Sequence, residues 1–338
     1  MAVFMERWKR MGSAIGSHMA FIVPVCVATG VLLPGVFGPL KAIVPFIFAI
    51  MTFQGALSNT FGQLLQVFRH PARLLVILAI AEVAMPLLAY LIGSALFGDN
   101  VNLVTGVVLE YSVPIAVISF MWVGIYEGDG PLCLAAILVS TVISPVTIPF
   151  TLSTLLGASI HIDAMGMMTD MIFMIALPAL AGIIVNELTR GWGHDVLSPN
   201  LSPLSRLITI VLITANSTSM SEYVLNMTWQ RLEVALFILV FATSGFFWGM
   251  LAARIMHGSQ PLLATMSFTC GLRNISSGAV IAAQYFPGET VFPVMCGTLF
   301  QQILAAVFGH IIDRLCAEDT GERKRKISAA KVLAKRKR

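Results

Sequence analysis

Long apolar stretches separated by short polar segments run along almost the whole chain. A helix needs roughly 20 apolar residues to cross the hydrocarbon core of a membrane. Ten stretches approach that length, near residues 19–34, 38–55, 72–95, 101–126, 131–157, 166–186, 204–221, 232–256, 260–286 and 290–313. The pattern predicts an all-α polytopic membrane protein with ten transmembrane helices, in a single transporter domain over residues 1–315.

Polar residues or prolines interrupt the fourth, fifth and ninth stretches. The fourth contains Glu110 and Pro114, and the ninth contains a polar run at 271–278. Small polar residues and glycine weaken a helix because they compete with its backbone hydrogen bonds. The fourth and ninth spans hold equivalent places in two halves of five spans each, and paired interruptions of this kind indicate a transporter's binding site. We therefore expect two repeats, about 15–157 and 165–315, inverted because each has an odd number of spans.

Composition and charge support a membrane protein and give it an orientation. Hydrophobic residues make up 57% of the chain and charged residues 11%, against about 25% charged residues in soluble domains. All but three of the 21 Lys and Arg fall on one side of the ten-span topology; Lys41 and Arg231 lie on the other side and Arg273 lies within a span. Basic residues near span ends stay cytoplasmic, so both termini are predicted to be cytoplasmic.

Other features of the sequence indicate what the protein binds and whether it is an enzyme. The basic tail 316–338 is interpreted as a cytoplasmic anchor that touches anionic lipid; nucleic-acid binding or targeting is the alternative. The five cysteines show no metal-binding spacing, and no nucleotide loop or nucleophile–base set is visible. The sequence therefore predicts neither an enzyme nor a cofactor, and it says nothing about the oligomeric state. A polar patch at 216–219 is expected to line a cavity.

Several short patterns stand in an order and spacing that we know from one family. They are residues 53–57, 81–86, Pro114 with Ser119 and 128–129, 140–145, and 271–276. Through them the chain resembles the bile acid:sodium symporter family (the BASS or solute carrier 10 group) over roughly residues 15–315, as a divergent bacterial-type member. The resemblance implies a panel domain and a core domain, with the fourth and ninth helices broken where they cross. It also implies uptake of organic anions driven by sodium.

The positions that hold sodium in this family carry other residues here. Ser119 keeps one hydroxyl, and Asn274 is the polar group of the ninth span that stays in place. The replacements are Phe120 for an Asn, Cys133 and Ile137 for two hydroxyls, Thr269 for a Glu, Arg273 for a Gln, and Glu82 for a Gln. Sodium needs several hard oxygen ligands, so we expect sodium not to be coupled to transport.

Glu82 and Arg273 stand at two positions that converge on one sodium in the family. In one interpretation they form a bidentate pair that replaces the ion and holds the crossing. In the other, Arg273 clamps a substrate carboxylate and Glu82 carries a proton. A third alternative is that the two side chains do not meet. Asn274, Ser119 and Pro114 are the further candidate substrate-binding residues.

Glu110 is the other carboxylate well inside a span, and it is a candidate proton site. The alternative is a neutral, hydrogen-bonded glutamate that lines a wet cavity. The function that follows is sodium-independent secondary transport of small or amphipathic organic anions, by proton coupling, exchange or uniport. The alternatives are a sodium-coupled organic-anion or bile acid symporter and a non-transporting membrane sensor. The expected partners are an organic anion and membrane lipid, without nucleic acid, in a bacterial inner membrane.

Overall fold

The computed structural model describes residues 2–60, 62, 71–157 and 163–336 of the chain. For residues 2–4, 17, 20 and 316–336 it describes the backbone alone. Within these ranges the chain is helical apart from turns and short connections, and its β pairing is limited to one isolated bridge between Ile115 and Arg273. The prediction of an all-α protein is confirmed for the part of the chain described.

The described ranges form thirteen helices, which we label in chain order. They are α1 (Ala2–Ser17), α2 (Met19–Leu32), α3 (Pro34–Ala56), α4 (Pro71–Phe97), α5 (Val101–Ser112), α6 (Ser119–Ile125), α7 (Gly130–Leu156), α8 (Ala164–Leu188), α9 (Gly193–Leu225), α10 (Trp229–Ile255), α11 (Gln260–Gly271), α12 (Ile275–Tyr285) and α13 (Gly288–Arg336).

Seven of these helices are long and apolar enough to cross a membrane. They are α3, α4, α7, α8, α9, α10 and α13 as far as Leu315. The other predicted spans correspond to shorter pieces: the fourth to α5 and α6, the ninth to α11 and α12, and the first to the 14-residue α2. The backbone of α13 continues to Arg336, through most of the predicted tail.

The expected break in the fifth span is wrong. Helix α7 runs through Pro145 and Pro149 for 27 residues. A proline lacks the N–H that would bond the carbonyl four residues earlier, so Pro145 leaves the carbonyl of Thr141 without its helical donor. The hydroxyl of Ser144 donates to that carbonyl at 2.9 Å. A serine beside the proline thus supplies the missing hydrogen bond, as is common in membrane helices.

Helix α1 lies ahead of the first predicted span and packs against α9. The indole Nε1 of Trp8 donates to the carbonyl of Asn200 at 3.0 Å, and the guanidinium of Arg206 donates to the carbonyl of Gly12. Helix α1 contains several charged residues, so a search of the sequence for apolar runs does not find it. The first predicted span therefore has a helical extension that hydropathy does not detect.

The buried apolar side chains form two large clusters, and each interrupted helix contributes to both. One cluster contains residues of α5 and α12 with the first turns of α13. The other contains residues of α6 and α11 with later turns of α13. The breaks therefore lie where the two clusters adjoin. Lipid is as apolar as the core, so close packing rather than the hydrophobic effect holds such helices together.

Two glycines on α10 allow α11 to approach closely. A Cβ at Gly249 would collide with the backbone of Met266, and a Cβ at Gly245 would meet the carbonyl of Cys270. Small residues four apart are a common way to bring membrane helices together. This contact fixes α11 directly before its break at Gly271.

Candidate functional site

The two interrupted helices meet at their breaks. The backbone N–H of Ala116 donates to the carbonyl of Leu272 at 3.1 Å, and the N–H of Asn274 donates to the carbonyl of Pro114 at 2.8 Å. These two bonds flank the antiparallel bridge between Ile115 and Arg273. The predicted interruptions near Pro114 and after Gly271 are both present, and each break supplies hydrogen-bond partners to the other.

Local sequence explains why the helices stop here. A residue before proline is disfavoured in the helical region, and Val113 is extended with φ −73° and ψ 155°. Leu272 is extended as well, with φ −105° and ψ 126°. The side chain of Asn274 then accepts from the N–H of Ser277 at 3.3 Å and caps the start of α12. Helix ends leave backbone groups unpaired, and the contacts between the breaks satisfy several of them.

Arg273 lies in the second break and is almost completely buried. Its side chain is 2% exposed, and none of its three guanidinium nitrogens has a hydrogen-bond partner. Buried charges are normally paired, because an isolated charge in a low-dielectric site is costly. The crossing therefore holds a cation whose hydrogen-bonding capacity is unused.

Glu82 lies on α4 within a π-helical turn, Ala79–Ala84, and it is 8% exposed. Its Oε1 accepts from the hydroxyl of Ser140 at 2.6 Å, and its Oε2 has no partner. Of the three alternatives for Glu82 and Arg273, the direct bidentate pair is not formed in this structure. The Ser140 hydroxyl occupies one carboxylate oxygen instead, and the two charges interact only at longer range.

Ser140 connects Glu82 to the first break. While its hydroxyl donates to Glu82, its oxygen accepts from the backbone N–H of Ile115 at 2.9 Å. Ser140 is fully buried. A chain of two hydrogen bonds thus joins a carboxylate on α4 to the unwound segment that pairs with Arg273. The sequence analysis missed this role, although Ser140 begins the pattern at 140–145.

Glu110 lies near the end of α5 and is 2% exposed, with Oε2 unpartnered. Its Oε1 lies against the backbone of Gly297 on α13, where an added Cβ would collide with it. Glu110 also interacts electrostatically with Arg273, more weakly than Glu82 does. Nothing in the sequence pointed to Gly297, because a glycine in an apolar run carries no chemical signal.

The hydroxyls at the former sodium positions donate to backbone carbonyls. Ser119, fully buried at the start of α6, donates to the carbonyl of Phe268 at 3.3 Å. Thr269 donates to the carbonyl of Thr265, in its own helix, at 2.7 Å. The other replaced positions on α7 are the buried Cys133 and Ile137. These four positions thus hold two hydroxyls that already donate to backbone carbonyls, a thiol and an alkyl group.

Phe120 is a further residue that differs from the one the family resemblance implies at a sodium position. It follows Ser119 and is 43% exposed, so its ring does not fill the buried position next to that hydroxyl. Among the described residues no group of three or more His, Cys, Asp or Glu could hold a metal ion.

Two broken helices that meet at their breaks around buried charged groups are the arrangement typical of the binding sites of secondary transporters. Comparison with known proteins agrees and names the family. The model of the Sodium Bile acid symporter family matches residues 44–227. The chain is 35% identical over 296 residues to the uncharacterized protein YbaS of Bacillus subtilis (strain 168), covering 88% of this chain and 97% of that protein. The protein therefore belongs to the sodium bile acid symporter family.

Two more distant relatives carry functional names. The probable sodium/metabolite cotransporter BASS1, chloroplastic, of Arabidopsis thaliana is 25% identical over 228 residues, which are 67% of this chain and 56% of that protein. The uncharacterized sodium-dependent transporter YocS of Bacillus subtilis (strain 168) is 21% identical over 291 residues, 86% of this chain and 88% of that protein. Family and apolar helices together make the protein an integral membrane transporter of this type.

Proposed function

We propose that this protein is a sodium-independent secondary transporter of small or amphipathic organic anions, in which Arg273 binds the carboxylate of the substrate. The observation that carries the proposal is the buried guanidinium at the crossing, which has no hydrogen-bond partner. A carboxylate satisfies a guanidinium with two parallel charge-assisted hydrogen bonds. An anion that binds there offsets a desolvation cost of several kcal/mol that the protein already bears.

Two carboxyl groups near Arg273 are candidates for proton coupling. Glu82 and Glu110 each keep one oxygen without a partner, and both interact electrostatically with Arg273. When a substrate carboxylate binds Arg273, the single positive charge of Arg273 faces the negative charge of the substrate as well as those of the two glutamates. A proton on Glu82 or Glu110 then offsets the negative charge that the substrate brings, so that the net charge of the site is unchanged and one anion moves with one proton.

The side chains at the former sodium positions support sodium independence. An ion needs several oxygen atoms with free lone pairs pointing at one point. Cys133 and Ile137 offer none of that kind, and Arg273 adds a positive charge where the family has a neutral amide. A cation bound beside that guanidinium would be repelled.

We assign the helices to ten spans in two inverted repeats. The first half comprises α2, α3, α4, the α5–α6 pair and α7; the second comprises α8, α9, α10, the α11–α12 pair and α13. The broken pair is fourth in each half, as expected for inverted repeats. In this assignment the interrupted helices belong to a core domain that moves against a panel domain, both termini are cytoplasmic, and the membrane is a bacterial inner membrane.

The experiment is uptake by the full chain reconstituted into liposomes, with a panel that includes cholate, benzoate and citrate. Each anion is tested with an inward sodium gradient, with potassium in its place, and with the outside pH lowered. We expect uptake of at least one anion to change less than about twofold between sodium and potassium. We also expect it to rise as the outside pH falls, because a proton accompanies the anion.

The names of the relatives favour a second candidate, a sodium-coupled organic-anion symporter. Uptake that requires sodium and ignores pH would select that candidate and overturn the proposal. Uptake that ignores both gradients and is stimulated by anion inside the liposome would instead indicate exchange, which the proposal includes.

A further inference from the structure

A polar cavity lies away from Arg273, and its lining contains a lysine without an ionic partner. The cavity has a volume of about 490 Å³ and is lined by Lys41, Thr218, Ser219, Phe286 and Gly288 among others. This volume is within the range of small-molecule sites. Three separate parts of the fold, α3, the end of α9 and the loop before α13, form its wall.

Lys41 is the cation of this cavity. Its Nζ donates to the hydroxyl of Ser219 at 2.9 Å, and the described part of the chain contains no salt bridge to it. An ammonium group has three donors, so at least two remain for a ligand. Glu222, the carboxylate on the lining, is exposed, and nearby Glu289 is paired with Arg231.

Other groups around the cavity also suit an anion. Gly288 begins α13, and the first turn of a helix carries partial positive charge; the N–H of Thr290 in this turn already donates to the carbonyl of Pro287 at 2.9 Å. The hydroxyl of Ser219 accepts from Lys41, so its own hydrogen is free to donate. These donors come from different elements and surround one space with a lysine at its wall.

Two buried polar groups each stand two residues along the chain from a residue that lines the cavity. Asn216 is two residues before Thr218, is fully buried, and has no partner for either atom of its amide. Thr290 is two residues after Gly288, is fully buried, and has an unpartnered hydroxyl. Buried polar groups are nearly always hydrogen-bonded, so these two indicate a partner such as water or a ligand. Both lie in the region where α13 packs against the end of α9.

The cavity is separated from Arg273 by the length of one short helix. Helix α12 begins beside Arg273 and ends at Tyr285, next to the cavity residue Phe286. Its 11 residues span about 16 Å. In the proposed topology the cavity opens on the outer face, where Lys41 and Arg231 are the basic residues.

We propose that this cavity is a second anion-binding site, which takes the carboxylate or phosphate oxygens of an anionic ligand through Lys41 and Ser219. The ligand is either a free organic anion or the headgroup of an anionic lipid, since the same oxygens suit the same donors. The site stands whether or not Arg273 binds substrate. If the proposed transport is correct, it lies where an organic anion would first bind before it reaches the crossing.

Chemical labelling of lysine tests the site in the full chain. The protein is placed in nanodiscs of phosphatidylcholine, treated with N-hydroxysuccinimidyl acetate, and the acetylation of Lys41 and Lys9 is followed by mass spectrometry. Lys9 is exposed on α1 and serves as the matched control. One arm adds cholate below its micelle concentration, and the other adds phosphatidylglycerol to the nanodisc. We expect at least one of these ligands, at twice its Kd, to slow the acetylation of Lys41 about threefold. The acetylation of Lys9 should not change.

The two arms identify the source, because protection by cholate indicates a free anion and protection by phosphatidylglycerol alone indicates a lipid headgroup. Equal labelling of Lys41 with and without both ligands would overturn the site. Equilibrium dialysis of radiolabelled cholate in the phosphatidylcholine nanodiscs gives a second readout where cholate protects. There we expect Lys41→Gln to lose one binding site per chain and Lys41→Arg to keep it.

The variant Arg273→Gln distinguishes the two proposals. If the cavity is separate, protection of Lys41 persists in Arg273→Gln although uptake is lost. Protection that disappears in this variant would mean that the effect came from the crossing, and the second site would be wrong. Failure of uptake in the unmodified protein, with protection of Lys41 intact, would contradict the proposed transport and leave the cavity site in place.

Discussion

Two arginines of this protein lie close to glutamates, and their surroundings differ completely. Arg231 on α10 contacts Glu289 at 3.3 Å, stacks over the ring of Tyr223 at 4.8 Å, and donates to the carbonyl of Asn226. Arg273 lies between two broken helices near two buried glutamates, and its guanidinium forms no hydrogen bond. The side chain of Arg231 is 16% exposed, whereas Arg273 is 2% exposed.

The comparison separates a structural arginine, Arg231, from a candidate binding arginine, Arg273. The more exposed side chain loses less solvation on folding, yet it has three hydrogen-bond acceptors and an aromatic ring as partners. The guanidinium of Arg273 is removed from water and forms no hydrogen bond with the protein. A buried charge that the fold leaves unsatisfied is a functional candidate in a membrane protein, and the other arginine is its natural control.

The largest expected effect is on Arg273. Replacing it with Gln should lower uptake about 100-fold or more, because two charge-assisted bonds to the substrate carboxylate are lost. The matched change Arg231→Gln should leave uptake within about twofold. Initial uptake rates in proteoliposomes with equal amounts of folded protein give the comparison. Equal losses in both variants would remove the distinction between the two arginines.

The next largest effect concerns Ser140. Ser140→Ala leaves both Glu82 Oε1 and the N–H of Ile115 without their partner, which costs about 1–3 kcal/mol. We expect a lower thermal unfolding midpoint and an uptake rate reduced about tenfold, with a changed pH profile. Ser144→Ala is the control on the same helix, since Ser144 bonds only the carbonyl of Thr141. If the pH profile of Ser140→Ala matches that of the unmodified protein, Ser140 is merely structural.

A smaller effect is expected at Gly297. Gly297→Ala places a methyl group where Glu110 Oε1 now lies and forces that carboxylate to move. We expect uptake to fall several-fold and its dependence on pH to weaken, if Glu110 carries the proton. The control is Gly124→Ala, since an added Cβ at Gly124 meets no atom within 4 Å. Unchanged uptake in Gly297→Ala would place Glu110 outside the coupling mechanism.

The smallest expected effect is the coupling between Glu82 and Arg273. Since the two side chains are not in contact, we expect a coupling free energy of no more than about 1 kcal/mol in a double-mutant cycle of unfolding. The cycle uses Glu82→Gln, Arg273→Gln and the double variant, each measured by thermal unfolding in the same detergent. A coupling near 3 kcal/mol or larger would restore the direct pair that the sequence suggested.

Much of the candidate site could be predicted from local sequence. A proline inside an apolar run and a run of glycine, arginine and small polar residues in another each weaken a helix by their own chemistry. The breaks near Pro114 and after Gly271 therefore needed no knowledge of the fold. Pro145 was misleading because the same local rule applied, but the hydroxyl of Ser144 compensates for it one residue earlier.

The partners of the charged groups could not be predicted in this way. Glu82 and Ser140 are 58 residues apart in the chain, and neither periodicity nor spacing relates them. Likewise, Glu110 and Gly297 lie on α5 and α13, and their contact depends on how those two helices pack. Whether Glu82 and Arg273 meet could not be settled from the sequence, because sequence reports which charges enter the membrane and leaves open which atoms they contact.

By itself, the sequence determined that this protein lies in a membrane, that its fourth and ninth spans are interrupted, and that an arginine and two glutamates enter the membrane among them. These are properties of residue type and order, which set hydropathy and helix propensity locally. The tertiary structure alone decided that the two breaks are hydrogen-bonded to each other, that Glu82 accepts from Ser140, and that the guanidinium of Arg273 has no hydrogen-bond partner. The reason is that hydrogen bonds require atoms within about 3 Å, and only the packed helices fix distances on that scale.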